Sequence, residues 1–140
     1  MAQNPKMSEY QTKLVSGIIL DKNRVLLGLR KNTQHFPNFW SLPVGHVENS
    51  ESPREALKRE LNEELGIKVI QEDVFCVKTD KKNSIYHQVF IINDYHGQVK
   101  NLEPDYCEEL CWSQLNDLPE PLTPITEEIL VDLNSKLTIN

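Results

Sequence analysis

The sequence predicts a single α+β domain, and three observations support this fold class. Short aliphatic and β-branched runs predict strands in both halves of the chain, a strongly capped helix lies between them, and an amphipathic segment closes the chain. The 140 residues suffice for one domain with its own core and are too few for two ordinary domains. We therefore predict a flexible N-terminal tail over residues 1–10 and one folded domain over residues 11–140.

The folded part is predicted to begin with a β-hairpin. Lys13–Leu20 (KLVSGIIL) and Arg24–Leu29 (RVLLGL) have the composition of strands, and residues 21–23 (DKN) supply the turn between them. Residues 31–39 place polar and aromatic side chains around a proline, which is typical of a loop. Residues 40–44 (WSLPV) predict a short extended segment that leads towards the helix.

The clearest local signal is the helix that follows Ser52. Ser52 is a favoured N-cap, Pro53 occupies the first helical position, and Glu55 completes a capping box. Gly66 is a plausible C-cap. One apolar face is formed by three leucines at a spacing of four residues: Leu57, Leu61 and Leu65.

The second half of the chain predicts further strands and a closing helix. Val74–Lys78 and Ile85–Ile92 have the composition of strands, and Glu109–Trp112 predicts a shorter one. The polar stretch Asn93–Tyr106 predicts a long loop. Ile129, Leu130 and Leu133 recur at helical spacing within residues 126–137, which predicts the terminal helix.

Composition and charge exclude several classes of protein. The net charge of −6 disfavours binding to a long nucleic acid, which usually requires a basic surface. No apolar run is long enough to cross a membrane, and residues 1–10 lack the apolar core of a signal peptide, so we expect a cytoplasmic protein. The three cysteines form no Cys-x-x-Cys pair, which favours reduced thiols over a disulfide framework or a zinc site.

Three glutamates of the predicted helix form an acidic face. At about 100° per residue, Glu60, Glu63 and Glu64 lie on one side of the helix and away from the leucines. Such like charges repel one another, and they stand near the C-terminus, where the helix dipole disfavours negative charge. A divalent cation such as Mg²⁺, which prefers oxygen ligands, would reverse this effect. The helix alone leaves two interpretations open, a metal site and a solvated acidic surface.

The wider spacing favours the metal site. In GHVENSESPREALKRELNEELGI, Gly45 is followed after five residues by Glu51, and seven residues later by Arg59-Glu60-Leu61, Glu63-Glu64 and Gly66-Ile67. This pattern resembles the Nudix box of the MutT-like Nudix hydrolases at every defined position. One departure precedes it: many relatives carry Gly-Gly after the Leu-Pro pair, whereas here Val44 stands before Gly45.

The resemblance implies a fold, a cofactor and a set of site residues. Family members share an α/β/α sandwich with a mixed sheet, a catalytic loop–helix–loop and a C-terminal helix. By resemblance, Mg²⁺, with Mn²⁺ as a substitute, would be bound by four residues: Gly45, Glu60, Glu63 and Glu64. Glu51 would support these ligands and Arg59 would orient the glutamates. The catalytic set would comprise Glu63, Glu60, Arg59 and one acid of a later loop, chosen here as Glu108 among Glu103, Asp105, Glu108 and Glu109.

The substrate is expected to be a small nucleotide. The resemblance is greatest to small hydrolases that cut a nucleoside triphosphate, oxidised ones included, to the monophosphate and pyrophosphate. An ADP-ribose or nucleotide-sugar pyrophosphatase is the alternative, and a Nudix domain that only binds a nucleotide is a third. Four residues are predicted to bind the substrate, Arg30 through phosphate and Phe36, Phe39 and Trp40 through stacking on a base. The sequence leaves open whether the chain forms a homodimer.

Overall fold

The computed structural model describes residues 5–138, so residues 1–4 of the predicted tail lie outside the described part of the chain. Met7–Glu9 forms one 3₁₀ turn, and the ring of Tyr10 lies 5.9 Å from that of Tyr86. In chain order, the strands and helices described are β1 Thr12–Asp21, β2 Arg24–Arg30, β3 Trp40–Ser41, β4 Val44–His46, α1 Pro53–Leu65, β5 Lys68–Asp80, β6 Ile85–His96, β7 Cys107–Gln114 and α2 Pro124–Thr138.

The strands form one mixed sheet in the order β3-β2-β1-β6-β5. Strands β1 and β6 run parallel, and the other pairs run antiparallel. Strand β1 has different partners at its two ends, because residues 14–16 pair with β4 and residues 20–21 pair with β2. Strand β7 extends the sheet beside β2.

The two helices cover opposite faces of this sheet. The leucines of α1 pack with Val15, Ile19 and Phe90 on one face, whereas Ile129 and Leu133 of α2 belong to the cluster on the other face. Full burial of each such side chain contributes roughly 1.5–3 kcal/mol. The predicted α+β class and α/β/α sandwich are therefore confirmed.

Helix α1 is capped as the sequence predicts. Ser52 Oγ accepts a hydrogen bond from the backbone N–H of Glu55 at 3.1 Å, and Glu55 Oε1 accepts one from the N–H of Ser52 at 2.9 Å. Gly66 ends the helix at φ 72°, a left-handed conformation that glycine adopts readily. Leu57, Leu61 and Leu65 are all buried. This burial fixes the rotation of the helix and turns the glutamates away from the core.

Several strands are longer than the segments predicted from the sequence. Strand β5 covers Lys68–Asp80 rather than residues 74–78, and β6 continues to His96 into the predicted loop. The predicted segment Trp40–Val44 is divided between β3 and β4. The reason is strand pairing. Strands β5 and β6 pair with each other along their length, with register shifts, and this pairing cannot be recognised from the local sequence pattern. Within residues 5–138, no helix has the length and hydropathy needed to span a membrane.

Candidate active site

Arg59 organises the loop between β4 and α1. Its guanidinium donates to both carboxylate oxygens of Glu51, at 2.7 and 3.0 Å, and to the backbone oxygen of His46 at 3.0 Å. It also contacts Glu60 at 2.8 Å and Glu63 at 3.3 Å. These contacts raise the pKa of Arg59 above its ordinary value, with the Glu51 hydrogen bond as the largest cause. One cation thus links the loop to two of the predicted metal-binding glutamates.

The Glu51 carboxylate is held in its charged form. The hydrogen bond from Arg59, supported by a backbone hydrogen bond, lowers the pKa of Glu51 below its usual value. Glu51 Oε1 also accepts a hydrogen bond from the backbone N–H of Glu48 at 2.9 Å, which closes the loop on itself. Glu51 therefore fixes the loop and Arg59 together, as expected for a residue that supports metal ligands.

Gly45 allows β4 to approach α1 closely. A Cβ atom built at Gly45 would overlap the side chain of Glu60, with Cγ and Cδ of that glutamate in its place. Gly45 itself is paired with Val15 in the sheet, so its backbone cannot easily move aside. The predicted role of its carbonyl as a metal ligand remains a prediction, and the structure adds a steric reason for glycine here.

Glu64 carries the strongest electrostatic perturbation among the acids of the described chain. Its carboxyl is half-buried at the end of α1, and its pKa is raised to about 9. Burial is the largest cause, followed by the interaction with Glu60 and the charges of Glu103 and Glu63. All of these causes act in the same direction because negative charge is concentrated at this position.

The donor set fits a hard divalent cation. Within residues 5–138, no three acidic, histidine or cysteine side chains already converge as metal ligands, since Glu60 and Glu63 turn towards Arg59. Yet the charges of Glu60, Glu63 and Glu103 all act on Glu64, and carboxylate oxygens are the ligands that Mg²⁺ prefers. A cation bound among these acids would relieve their mutual repulsion. Glu60, Glu63 and Glu64 are thus the residues that would hold it.

The structure brings Glu103, rather than Glu108, to these glutamates. Burial raises the pKa of Glu103, and the charges of Glu60 and Glu63 raise it further. Glu108 is exposed and forms an ion pair with Lys31 at 3.2 Å. The geometry therefore does not favour the choice of Glu108 as the late catalytic acid, because its carboxylate is paired with a lysine. The sequence assigned all four acids to one loop, but Glu108 and Glu109 lie on β7, and only the tertiary fold distinguishes Glu103.

A cleft of about 490 Å³ opens beside Glu64 and Glu103. Its wall includes the end of β2 and the segment from Leu42 to Val44, which supply apolar surface. Its polar and aromatic lining includes Arg30, His46, Glu64, Asn101, Glu103 and Tyr106. The cleft therefore extends from Glu64 of α1 to a region with both a cationic and an aromatic side chain.

Arg30 is the predicted substrate-binding residue that lines the cleft. Its Nε and Nη2 atoms donate to the backbone oxygen of His35, at 3.3 and 3.0 Å, and this contact fixes the side chain. Burial lowers the pKa of Arg30 from its ordinary value, although a guanidinium remains charged at neutral pH. A cation fixed at the wall of an acidic cleft is suited to bind a phosphate group.

The three aromatic residues predicted to stack on a base do not line the cleft. Phe36 and Phe39 pack edge to face, with ring centroids 5.2 Å apart, and Phe36 is exposed. Trp40 packs against the core beneath α2, and its backbone N–H donates a hydrogen bond to the oxygen of Pro121. The aromatic residue that does line the cleft is Tyr106, which the sequence analysis included only as part of the predicted loop.

Two segments that line the cleft are hydrogen-bonded to each other. The backbone N–H of Lys31 donates to the oxygen of Tyr106 at 3.0 Å. Asn32 Nδ2 donates to the backbone oxygen of Asp105 at 2.9 Å, and the Lys31–Glu108 ion pair lies beside these bonds. The segment after β2 and the segment before β7 therefore form one continuous wall.

The chain is similar to known proteins over most of its length. The profile of the NUDIX domain family matches residues 11–133. An 8-oxo-dGTP diphosphatase of Buchnera aphidicola is 31% identical over 125 residues, which cover 84% of this chain and 92% of the relative. A CTP pyrophosphohydrolase of Escherichia coli is 32% identical over 115 residues, 80% of this chain and 83% of the relative. A crystal structure of a MutT NUDIX hydrolase from Burkholderia pseudomallei superposes with a TM-score of 0.78 at 33% identity, covering 86% of this chain and 95% of that one.

Proposed function

The chain belongs to the Nudix hydrolase family, and we propose that it hydrolyses a nucleoside triphosphate to the monophosphate and pyrophosphate with Mg²⁺ as cofactor. The observation that carries this proposal is the arrangement of Glu64 and Glu103 at a cleft whose wall also holds Arg30, with the charge of Glu60 acting on both acids. Named relatives act on nucleoside triphosphates, as the 8-oxo-dGTP diphosphatase and the CTP pyrophosphohydrolase do. Oxidised nucleotides are included among the proposed substrates.

Each side chain of the site has a proposed task. Glu60, Glu63 and Glu64 hold the cation, and Arg59 fixes Glu60 through the 2.8 Å contact. Arg30, which lines the same cleft as Glu64, binds a phosphate group. When bound, Mg²⁺ supplies charge neutralisation for the diphosphate oxygens and lowers the pKa of an attacking water.

Glu103 is proposed to accept the proton of the attacking water. Its pKa is raised by burial and by two neighbouring carboxylates, which makes it a stronger base than an exposed glutamate. It comes from a different part of the chain than the helix glutamates, so it can lie across the cleft from them. Glu108 remains a weaker candidate, because its ion pair with Lys31 would first have to break.

Tyr106 is proposed to receive the base. Its ring lines the cleft and is 59% exposed, so one face is available for stacking. The rings of Phe36 and Phe39 instead pack against each other. Arg30 and Tyr106 would therefore contact the phosphate and the base of one nucleotide within the same cleft.

The decisive experiment is a nucleotide panel with and without Mg²⁺. The panel contains the four ordinary nucleoside triphosphates, 8-oxo-dGTP, ADP-ribose and a nucleotide sugar, and the products are identified by chromatography. We expect a nucleoside triphosphate to yield monophosphate and pyrophosphate only when the metal is present. Turnover confined to ADP-ribose or the nucleotide sugar would favour the alternative activity. Metal-independent binding without turnover of any compound would overturn the proposal in favour of a binding domain. The cytoplasmic location and the homodimer remain predictions.

A further inference from the structure

The loop that carries Glu103 is attached to the end of α1. The backbone N–H of Leu102 donates to the oxygen of Glu64 at 3.0 Å, and that of Lys100 donates to the oxygen of Leu65 at 3.0 Å. These carbonyls belong to the last turn of the helix, where oxygens lack partners within the helix. The helix that presents the metal-binding glutamates therefore also sets the position of the loop backbone.

Asn101 closes the next part of this loop. Its Oδ1 accepts a hydrogen bond from the backbone N–H of Glu103 at 3.1 Å, and its Nδ2 donates to the backbone oxygen of Cys107 at 2.8 Å. The oxygen of Glu103 accepts in turn from the N–H groups of Tyr106 and Cys107, at 3.0 and 2.9 Å. The side chain of Asn101 is half-buried at the cleft wall. One amide thus bridges both ends of the turn that carries Glu103.

We propose that Asn101 is a positioning residue that holds the Glu103 carboxylate in the cleft, an inference that rests on the proposed function. An asparagine amide offers an acceptor and a donor in one plane, and both are used here. Aspartate would keep the acceptor and lose the donor, and alanine would lose both. Without the bridge, the loop remains attached at Leu102 but the turn beyond it gains freedom. Misplacement of a reacting group by about 1 Å can reduce a rate about 100-fold.

The test compares four variants with the wild-type protein in the presence of Mg²⁺ and of the nucleotide with the highest turnover. Asn101→Ala removes both hydrogen bonds, and Asn101→Asp removes one. Glu103→Gln removes the proposed base. Asn93→Ala is the matched control, because Asn93 is exposed on β6, bonds Asp73 at 2.6 Å and does not line the cleft. The double variant Asn101→Ala with Glu103→Gln completes a double-mutant cycle.

We expect Asn101→Ala and Asn101→Asp to reduce kcat by about 10- to 100-fold while KM changes by less than about twofold. The control should retain the wild-type kcat. In the Glu103→Gln background, Asn101→Ala should cause little further loss, since the carboxylate that it positions is already absent. Hydrogen exchange at the Glu103 amide should accelerate in Asn101→Ala, whereas exchange in the core strands stays unchanged.

The contrary outcomes separate this inference from the proposed function. If Glu103→Gln reduces turnover and Asn101→Ala does not, the positioning role is wrong and the proposed function stands. If Asn101→Ala raises KM with unchanged kcat, Asn101 binds substrate directly and the inference is overturned. Additive losses in the double variant would also overturn it. If the wild-type protein hydrolyses no nucleotide, the proposed function fails together with the inference, even where amide exchange shows that Asn101 orders the loop.

Discussion

The guanidinium of Arg59 meets the carboxylate of Glu51 side on, with Nε 2.7 Å from Oε2 and Nη2 3.0 Å from Oε1. The same guanidinium reaches Glu60 through Nη1. A lysine would keep the charge but cannot form the two parallel hydrogen bonds. We therefore expect Arg59→Lys to reduce kcat/KM by about 10- to 100-fold, as measured by steady-state kinetics at saturating Mg²⁺.

The control for that change lies on the same helix. Arg54 is half exposed and contacts Glu72 at 3.1 Å, away from the cleft. Arg54→Lys should leave kcat/KM within about twofold of the wild-type value, because lysine keeps the positive charge beside Glu72 and neither residue lines the cleft. Equal losses in both variants would show that the geometry of Arg59 has no special role.

Glu64→Gln tests the metal assignment. The change keeps the shape of the side chain and removes the charge that the cation requires, so turnover should fall by orders of magnitude. Without metal, the midpoint of thermal unfolding should stay close to that of the wild-type protein. Added Mg²⁺ should raise the midpoint of the wild-type protein and not that of the variant. Glu120→Gln, at an exposed acid, serves as the control and should behave as wild type in both measurements.

Gly45→Ala should displace Glu60. The new Cβ would overlap the Glu60 side chain, which Arg59 also holds, so we expect at least a tenfold loss of kcat/KM together with a loss of stability. Gly17→Ala provides the comparison, because its Cβ would meet Leu61 Cδ1 at 3.2 Å inside the core. That variant should unfold at a lower temperature and keep its kcat. Full activity of Gly45→Ala would contradict the steric argument.

Arg30→Ala should weaken substrate binding. A charge-assisted hydrogen bond contributes about 1.5–3 kcal/mol, so KM should rise by about tenfold or more while the Mg²⁺ requirement is unchanged. Phe36→Ala should have little effect on KM, because Phe36 packs against Phe39 and does not line the cleft. Initial-rate measurements over a range of nucleotide concentrations distinguish the two. A larger effect at Phe36 than at Arg30 would restore the predicted aromatic stacking site.

His87 should make the stability of the protein depend on pH. It lies on β6 beside β1 and is buried, with Nε2 2.6 Å from Ser16 Oγ, and burial lowers its pKa to about 4. In the unfolded chain the pKa is about 6.5, so only the unfolded chain takes up this proton as the pH falls between the two values. The free energy of unfolding should therefore decrease by about 3 kcal/mol from this group between pH 7 and pH 4.

The measurement for His87 is urea unfolding at several pH values. His87→Gln keeps a partner for Ser16 and does not titrate, so its stability should fall less than that of the wild-type protein over the same range. The difference between the two curves isolates His87 from the other titrating groups. Parallel curves would show that His87 is accessible to protons in the folded state.

Local signals explain why α1 and its acidic face were predictable. The capping box at Ser52 and Glu55, and the C-cap at Gly66, depend only on residues within one helix. The burial of the three leucines then fixes which side the glutamates occupy. The strands were predicted at their most apolar parts, and their full lengths required knowledge of the pairing partners.

The late acid and the aromatic residue of the cleft could not be predicted in the same way. Glu103 and Glu108 belong to the same acidic stretch of sequence, but Glu108 lies on β7, and only the hydrogen bonds from the preceding loop to Glu64 and Leu65 bring Glu103 to the helix glutamates. Likewise, Trp40 is aromatic and close to Arg30 in sequence, yet its place in the core is set by α2 and Pro121. Both outcomes depend on contacts between residues at least 35 positions apart in the printed sequence.

The backbone hydrogen bond between Lys31 and Tyr106, and the side-chain contacts beside it, have a consequence for the redesign of this protein. Since the Asn32 side chain donates to the backbone oxygen of Asp105 and Lys31 pairs with Glu108, a graft of either segment that lacks these side chains would leave groups of the other segment without partners. New nucleotide preferences should therefore be transferred by exchanging both segments as a unit, with helix α1 left untouched. Chimaeras that carry a single foreign segment should express poorly or lose activity on both the old and the new nucleotide.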